Sequence, residues 1–154
     1  MTNPFIVEHK TLQDDNGFYC DMPLVVKDKA PLVKNWVRVV TKSMSTPFSV
    51  INPTHQEDPF EENKYLKVLS GEIYCMVICV DKLRPNYLVS EILHVDSDHA
   101  IYIPKGYAVG YITTKPDTVT QSFIDNSYSE KHEVTIPYQT IEQFNVMVEG
   151  FKNQ

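Results

Sequence analysis

The feature that most constrains this chain is a succession of short β-type runs between residues 64 and 128. β-Branched and aromatic residues come in segments of strand length, and turn-forming punctuation separates them: Ser70-Gly71, Arg84-Pro85, Pro104-Lys105-Gly106 and Lys115-Pro116-Asp117. This rhythm is typical of antiparallel all-β barrels and sandwiches. The run 74–80 is apolar at nearly every position, so both of its faces are expected to be covered, one by a second sheet and one by a partner subunit.

The same reasoning predicts about ten strands and one helix. Asp14-Asp15-Asn16-Gly17 is a turn signal that predicts a hairpin. Asn52-Pro53 is expected to end a strand, followed by a polar loop over 55–63. Thr140-Ile141-Glu142-Gln143 resembles a capping box, and apolar residues then recur at helical spacing, which predicts a C-terminal helix on the sheet. The predicted strands are 5–10, 18–21, 35–42, 48–52, 64–69, 72–80, 87–95, 100–103, 107–113, 118–125 and 133–137.

Composition narrows the class of protein. At 154 residues the chain fits one domain over residues 1–154, and it has no apolar run near the roughly 20 residues of a membrane-spanning helix. The polar start lacks the pattern of a signal peptide, so a cytoplasmic location is expected and no membrane partner. Cys75 and Cys79 lie on one face of a predicted strand and are expected to be buried free thiols. A net charge of -6 without a dense basic run argues against nucleic acid as a partner, while a small anionic ligand needs only a few local cations.

Motif searches exclude several kinds of site. The chain has no phosphate-binding Gly-rich loop, no Cys-x-x-Cys pair, no His-Glu-x-x-His and no Gly-x-Ser-x-Gly. Its five histidines show no paired spacing of the kind that supplies two metal ligands from one element. Neither a metal site nor a cofactor is therefore expected.

Three segments together carry a resemblance to a known family. The run Lys64-Tyr65-Leu66-Lys67-Val68-Leu69-Ser70-Gly71-Glu72-Ile73-Tyr74, residues 101–111 and residues 125–133 resemble the dTDP-4-dehydrorhamnose 3,5-epimerase family. Residues 14–21 are similar to that family's Asp-x-Arg-Gly-x-Phe-x-Glu segment. The resemblance implies a cupin-type jelly roll (a double-stranded β-barrel), a homodimer, no metal and a sugar nucleotide as the ligand.

The resemblance also implies a reaction and a set of site residues. In the family a histidine base removes the proton beside a 4-keto group, a cation stabilises the enolate oxygen, and a tyrosine returns a proton on the opposite face. This chemistry needs a base with a pKa near neutrality and preorganised positive charge at the developing oxyanion. The alignment makes His55 the base, Lys64 the cation and Tyr128 a second pocket tyrosine. It implies substrate-binding roles for Tyr19, Asp21, Asn52 and Ser122.

The chain departs from the family pattern at several of these positions. Asn16 and Asn52 stand where the family has arginines that contact the diphosphate, and an amide supplies neither the charge nor the bidentate geometry of a guanidinium. Val109 stands in place of a family histidine, and Ser122 in place of the proton-donating tyrosine. The aspartate that orients the family's base lies in a C-terminal segment that this sequence does not include. Asp125 and the turn at Asp96 and Asp98 are the candidate substitutes.

Three hypotheses remain open. The first is an epimerase or isomerase acting on a nucleotide-linked 4-keto-6-deoxy sugar in deoxysugar or polysaccharide biosynthesis. The second is a catalytically inactive cupin that binds a sugar or sugar nucleotide, or a structural subunit. The third is an unrelated metal-dependent cupin enzyme, which the scattered histidines disfavour. Taken singly, His55 can be a solvated loop histidine, Lys64 a strand-edge lysine, and the acidic loop 57–62 a solvated face.

Overall fold

The structure is a computed structural model that describes residues 3–8, 10–14, 17–21 and 36–154, with the backbone alone at residues 8, 10–14 and 17–21. In these ranges the chain forms twelve strands, two short 3-10 helices and one α-helix. The strands are β1 (Phe5–Glu8), β2 (Lys10–Asp14), β3 (Gly17–Asp21), β4 (Arg38–Met44), β5 (Ser49–Gln56), β6 (Lys64–Ser70), β7 (Glu72–Cys79), β8 (Ser90–Asp96), β9 (His99–Ile103), β10 (Tyr107–Thr113), β11 (Thr118–Ile124) and β12 (Glu133–Thr135). The 3-10 helices are Glu130–His132 and Tyr138–Thr140, and α1 is Glu142–Lys152.

Two five-stranded sheets form the body of the fold. The first has the strand order β1-β9-β6-β11-β4 and the second β12-β5-β10-β7-β8, and the paired strands are antiparallel. A core of buried residues from both inner faces lies between them, including Leu66, Val68 and Ile101 of the first sheet and Ile73 and Val77 of the second. Burial of this apolar surface holds the sheets face to face. The predicted all-β jelly roll with a C-terminal helix is confirmed.

A hairpin is present at the predicted turn Asp14-Asp15-Asn16-Gly17, but its first strand is β2 and not the predicted strand 5–10, because β1 pairs with β9 of the first sheet. Strands β2 and β3 pair with each other in a separate two-stranded sheet, with Asp14 opposite Gly17. Asp15 and Asn16 lie outside the described residues.

Strand β7 is covered on both faces, as its apolar sequence predicted, but one cover differs from the expectation. The residues facing inward are buried in the core between the sheets, and two of them, Cys75 and Cys79, are free thiols. The outward residues Met76 and Ile78 are packed under the C-terminal helix of the same chain. The prediction that a partner subunit covers this face is therefore wrong, because α1 already buries it.

The C-terminal helix lies on the second sheet as predicted. Phe144 and Val148 are fully buried against this sheet, and Ile141, Met147 and Phe151 pack around them. The predicted capping box is wrong. Ile141 occupies the N-cap position without a side-chain hydrogen bond, and the Thr140 hydroxyl donates instead to the Pro137 carbonyl at 2.7 Å. The helix is therefore held chiefly by its apolar face.

Strand β5 continues through Asn52-Pro53, where the sequence predicted its end, so His55 lies on a strand and not in the polar loop. The pairing of β10 with β5 shifts register between Val109 and Tyr111, which leaves Gly110 opposite the Asn52-Pro53 peptide. A register shift of this kind leaves a position without a ladder hydrogen bond, which suits a proline nitrogen. On the other edge of β5 the Pro53 carbonyl accepts a hydrogen bond from the Ile136 amide at 2.8 Å.

Replacing Gly110 with alanine is expected to destabilise the fold by about 1–3 kcal/mol, the range of overpacked cores. A Cβ at this position would lie 2.2 Å from the Ile51 carbonyl oxygen and 2.5 Å from the Pro53 nitrogen, and neither backbone atom can swing aside. Urea unfolding should show a lower midpoint with an unchanged slope. Gly150→Ala is the matched control, because a Cβ on Gly150 in α1 meets no atom within 4 Å. Equal midpoints for the Gly110 variant and the wild type would contradict this account.

The start of β8 was predicted too early. Residues 87–89 belong to a turn region in which Tyr87 N donates to the Arg84 carbonyl and Val89 N to the Asn86 carbonyl. Leu88 has a φ of 65°, which a strand does not allow. The strand therefore begins at Ser90.

None of the helices in the described part of the chain has the length and apolar character needed to cross a membrane. Among the described side chains, no group of three or more His, Cys, Asp or Glu residues is placed to hold a metal ion.

Candidate active site

A cavity of about 340 Å³ lies between the inner faces of the two sheets. Residues of β4, β6 and β11 line one wall, with Glu62 just before β6. Residues of β5 and β10 line the other wall, and Tyr128 and Glu133 lie at the edge. Its charged lining consists of three cations, Arg38, Lys42 and Lys64, and two carboxylates, Glu62 and Glu133. A concave site that combines apolar walls with a few polar groups is typical of small-molecule binding.

His55 lines this cavity from β5 and is partly buried. Burial lowers the pKa of its imidazole below the ordinary value of 6.5, against the opposing influence of Glu57, the Gln56 backbone and Glu61. The ring is therefore mostly neutral at pH 7, since a lowered pKa disfavours the protonated form. A neutral imidazole beside a cavity can accept a proton from a bound molecule.

Lys64 lines the same cavity from the opposite sheet, at the first position of β6. Its side chain is 17% exposed, and its ammonium Nζ lies 3.6 Å from Glu62 Oε1. Burial lowers the pKa of Lys64, and Glu62 opposes that effect, while Arg38 and Lys42 reinforce it. His55 and Lys64 thus both line this cavity, from different sheets.

Glu62 was missed by sequence reasoning, which assigned it to a solvated acidic face. It is 12% exposed and lines the cavity, where its Oε2 accepts a hydrogen bond from Arg38 Nη2 at 2.8 Å. The following residue explains its position, because the Asn63 amide and side chain donate to the two carboxylate oxygens of Asp125 at 2.7 and 2.8 Å. These bonds fix the end of the loop, so Glu62 is directed into the cavity and neutralises part of the charge of two cations. The Glu-x-Lys spacing was the only local signal for it.

Tyr128 lies at the edge of the cavity and is 51% exposed. Its hydroxyl donates a hydrogen bond to the Glu133 carboxylate, and this bond raises the pKa of the phenol. The guanidinium carbon of Arg38 lies 5.4 Å from the centre of the ring. Tyr128 therefore borders the cavity, with its proton directed at Glu133.

Of the two other predicted binding residues whose side chains are described, one lines the cavity and one does not. Ser122 lines the cavity from β11. Asn52 does not line it, because its Oδ1 accepts a hydrogen bond from the Tyr138 amide at 3.0 Å. Tyr19 and Asp21 lie on β3, and their side chains are outside the described residues.

The carboxylates considered as orienting groups for His55 are bound elsewhere. Asp125 holds Asn63, and Asp96 accepts hydrogen bonds from the Asp98 amide at 2.9 Å and pairs with His99 Nδ1 at 2.6 Å. None of the three aspartates lines the cavity. The expectation that they orient the base has no support in their contacts.

Tyr111, which sequence reasoning had treated as barrel filling, is a second phenol that lines the cavity. Tyr111 on β10 is 6% exposed, and its hydroxyl and the Thr120 hydroxyl are hydrogen-bonded at 3.0 Å. Both residues line the cavity. Burial raises the pKa of Tyr111, and its bond to Thr120 opposes this effect. The hydroxyl is thus protonated at neutral pH.

Comparison with known proteins shows the family of the chain. The sequence profile of the dTDP-4-dehydrorhamnose 3,5-epimerase family matches residues 1–147. The chain belongs to that family. It is also 27% identical, over 95 residues, to a dTDP-4-dehydrorhamnose 3,5-epimerase from Sinorhizobium fredii. That match covers 60% of this chain and 49% of the relative, so the aligned part spans about half of the relative's length.

Solved structures of sugar-nucleotide epimerases share the fold. The enzyme from Bacillus anthracis, determined with TDP and PPi bound, is 20% identical with a TM-score of 0.77, over 86% of this chain and 78% of that one. The enzyme from Sulfolobus tokodaii is 24% identical with a TM-score of 0.72, over 90% and 79% of the two chains. ChmJ, a 3'-monoepimerase from Streptomyces bikiniensis in complex with dTDP-quinovose, is 14% identical with a TM-score of 0.70, over 87% and 69%. This family member therefore has the double-stranded β-barrel of the dTDP-sugar epimerases.

Proposed function

We propose that this protein is an epimerase or isomerase of a nucleotide-linked 4-keto-6-deoxy sugar, acting by proton abstraction beside the keto group. The observation that carries the proposal is the placement of His55 and Lys64 on opposite walls of one cavity. The carbon acid needs a neutral base, and the enolate oxygen needs a positive charge that is already in position. Family membership supports the same reaction class.

In this proposal His55 removes the proton from the carbon next to the keto group. The C–H electron pair forms the carbon–carbon double bond of the enolate, and the keto π pair moves to the oxygen. The Lys64 ammonium stabilises that oxygen, and Glu62 keeps the ammonium charged although it is largely buried. Protonation of the carbon then restores the ketone. These steps need only acid–base groups of the chain, so no cofactor or metal is part of the proposal.

The diphosphate of the substrate is proposed to meet the positive side chains of β4. Arg38 and Lys42 both line the cavity, on inward positions about 13 Å apart along the strand. The family has an arginine at the position of Asn52 on β5. Arg38 and Lys42 supply positive charge from the other sheet. Arg38 is held by Glu62, which leaves part of its guanidinium for a phosphate oxygen. The homodimer and the cytoplasmic location expected from the sequence stay predictions.

A sugar-nucleotide binding protein without turnover is the second candidate. Two observations favour it: Ser122 lines the cavity where the family has a phenol, and Asn52 bonds the Tyr138 backbone outside the cavity. Such a protein would bind the nucleotide sugar and would not release a sugar proton to solvent.

Deuterium exchange distinguishes the two candidates. The protein is incubated in D2O with dTDP-4-keto-6-deoxyglucose, and deuterium at carbons 3 and 5 is followed by NMR and mass spectrometry. The epimerase proposal predicts enzyme-dependent incorporation at one or both carbons, since only these are adjacent to the keto group. dTDP-glucose is the matched control, because it has no keto group and should not exchange. No exchange above buffer with a panel of 4-keto sugar nucleotides, together with measurable binding, would favour the second candidate.

A further inference from the structure

Among the described residues that line the 340 Å³ cavity, Tyr111 is the one phenol with a buried hydroxyl, and the proton abstraction proposed above does not use it. Its side chain starts on β10 in the second sheet and reaches the Thr120 hydroxyl on β11 in the first sheet, at 3.0 Å. The hydroxyl therefore lies at the inner surface of the opposite wall. Most of the phenol is removed from solvent, whereas Tyr128 is half exposed.

The position of that hydroxyl relates directly to Ser122. Thr120 and Ser122 occupy successive inward positions of β11, and both line the cavity. Side chains two residues apart on a strand lie about 7 Å apart on one face. The Tyr111 hydroxyl is thus bound to Thr120, the inward neighbour of Ser122, and Ser122 occupies the position of the family's proton-donating tyrosine. Ser122 itself has an aliphatic hydroxyl, a much weaker acid than a phenol.

The surrounding elements also suit a proton donor at this point. His55 lines the cavity from β5 in the second sheet, whereas the Tyr111 hydroxyl is bound to Thr120 on β11 in the first, so a sugar ring between the sheets would have the two residues on different sides. Lys42 on β4 pairs directly with Thr120 and also lines the cavity, which adds a positive charge on the wall where a phenolate would form. Cys75 lies opposite Tyr111 on β7, and burial raises the pKa of its thiol to about 12, so it stays neutral.

We propose that Tyr111 is the catalytic acid that completes inversion, in place of the phenol absent at position 122. This inference rests on the proposed epimerase function. After His55 has taken the proton, the Tyr111 O–H bond breaks and its proton joins the carbon on the opposite face. The enolate double-bond pair forms the new C–H bond, and the oxygen pair restores the keto group. The phenolate then regains a proton from water and protonated His55 releases one, so the net number of protons is unchanged.

The test separates exchange from inversion. Initial rates of deuterium incorporation and of formation of the inverted sugar are measured for the wild type and Tyr111→Phe. Tyr111→Phe is expected to lower inversion by about 10²–10⁴-fold, the usual contribution of a general acid, and to change His55-dependent exchange much less. Thr120→Val keeps the phenol and removes its hydrogen-bond partner, so it should reduce the ratio of inversion to exchange by a smaller factor. Tyr74→Phe, outside the cavity between His94 and Phe151, is the matched control and should leave both rates unchanged.

The possible outcomes are distinct. If Tyr111→Phe keeps the wild-type ratio of inversion to exchange, including by an equal loss of both rates, Tyr111 is not the acid. That result leaves the proposed function standing. Exchange without any inversion by the wild type also overturns the assignment of Tyr111. No exchange at all by the wild type overturns both the assignment and the proposed function. Equal thermal midpoints for the Tyr111 and Tyr74 variants would ensure that a change in the ratio does not arise from unfolding.

Discussion

Replacing His55 with asparagine is expected to reduce deuterium exchange into the 4-keto sugar by about 10²–10⁴-fold. Asparagine keeps a polar side chain at the cavity wall but cannot accept the proton, so binding should be retained while the chemical step is lost. The measurement is the initial rate of exchange at saturating substrate, with the affinity for dTDP determined separately. His94→Asn is the matched control, because His94 lies on the second sheet away from the cavity, bonded to Glu72 at 2.8 Å.

The pH dependence of the wild type follows from the same group. His55 must be neutral to act as a base, and burial lowers its pKa below 6.5. The rate should therefore hold down to pH values below 6.5 and fall only as pH decreases through the lowered pKa. Two results would contradict the assignment of His55 as the base. One is an exchange rate that already falls, as pH decreases, with a midpoint above pH 6.5. The other is an exchange rate in His55→Asn close to that of the wild type.

Replacing Lys64 with glutamine is expected to lower kcat by about 10²–10³-fold, as for the loss of one oxyanion-stabilising donor. The ammonium acts on charge that develops in the transition state, so KM should change much less than kcat. Lys115→Gln is the matched control: this lysine is mostly exposed and pairs with Glu72 outside the cavity, with Nζ and Oε1 3.6 Å apart. A Lys64 variant with a raised KM and unchanged kcat would instead assign this lysine to substrate binding.

The alkaline limb of the reaction tests the state of Lys64. Its pKa is lowered below 10.5, chiefly by burial, so the ammonium is lost at a lower pH than in an exposed lysine. Exchange should accordingly decline as pH rises through that lowered pKa. Glu62→Gln removes the carboxylate that opposes the effect and should move the decline to still lower pH. If the alkaline decline in exchange occurs at the same pH in Glu62→Gln as in the wild type, Glu62 does not influence the pKa of Lys64.

Local patterns in the sequence predicted most of the strands. Runs of β-branched residues and turn pairs such as Ser70-Gly71 act over a few residues, so strand and hairpin positions follow from the chain itself. The error at β5 occurs where tertiary pairing overrides a local rule. Asn52-Pro53 normally ends a strand, yet β5 continues because β10 shifts its register at Gly110 and the glycine lets the two backbones approach. No local signal at Pro53 contains that information.

The site was predictable only in part. The resemblance predicted roles for His55 and Lys64, and both residues line the cavity. It did not identify Glu62 or Tyr111, because their roles depend on partners far along the chain or across the cavity. Glu62 bonds Arg38, 24 residues away, and Tyr111 meets Thr120 from the opposite sheet.

The sequence by itself determined the all-β class, the C-terminal helix and the family, because these depend on periodicity, turn residues and continuous motifs. Only the tertiary structure decided which polar side chains share the cavity and which are bound elsewhere. Successive residues of a strand point to opposite faces, so a single register shift or a neighbouring loop changes which side chains face inward. It is this pairing of strands that directs Glu62, Tyr111 and Thr120 into the site and leaves Asn52 outside it.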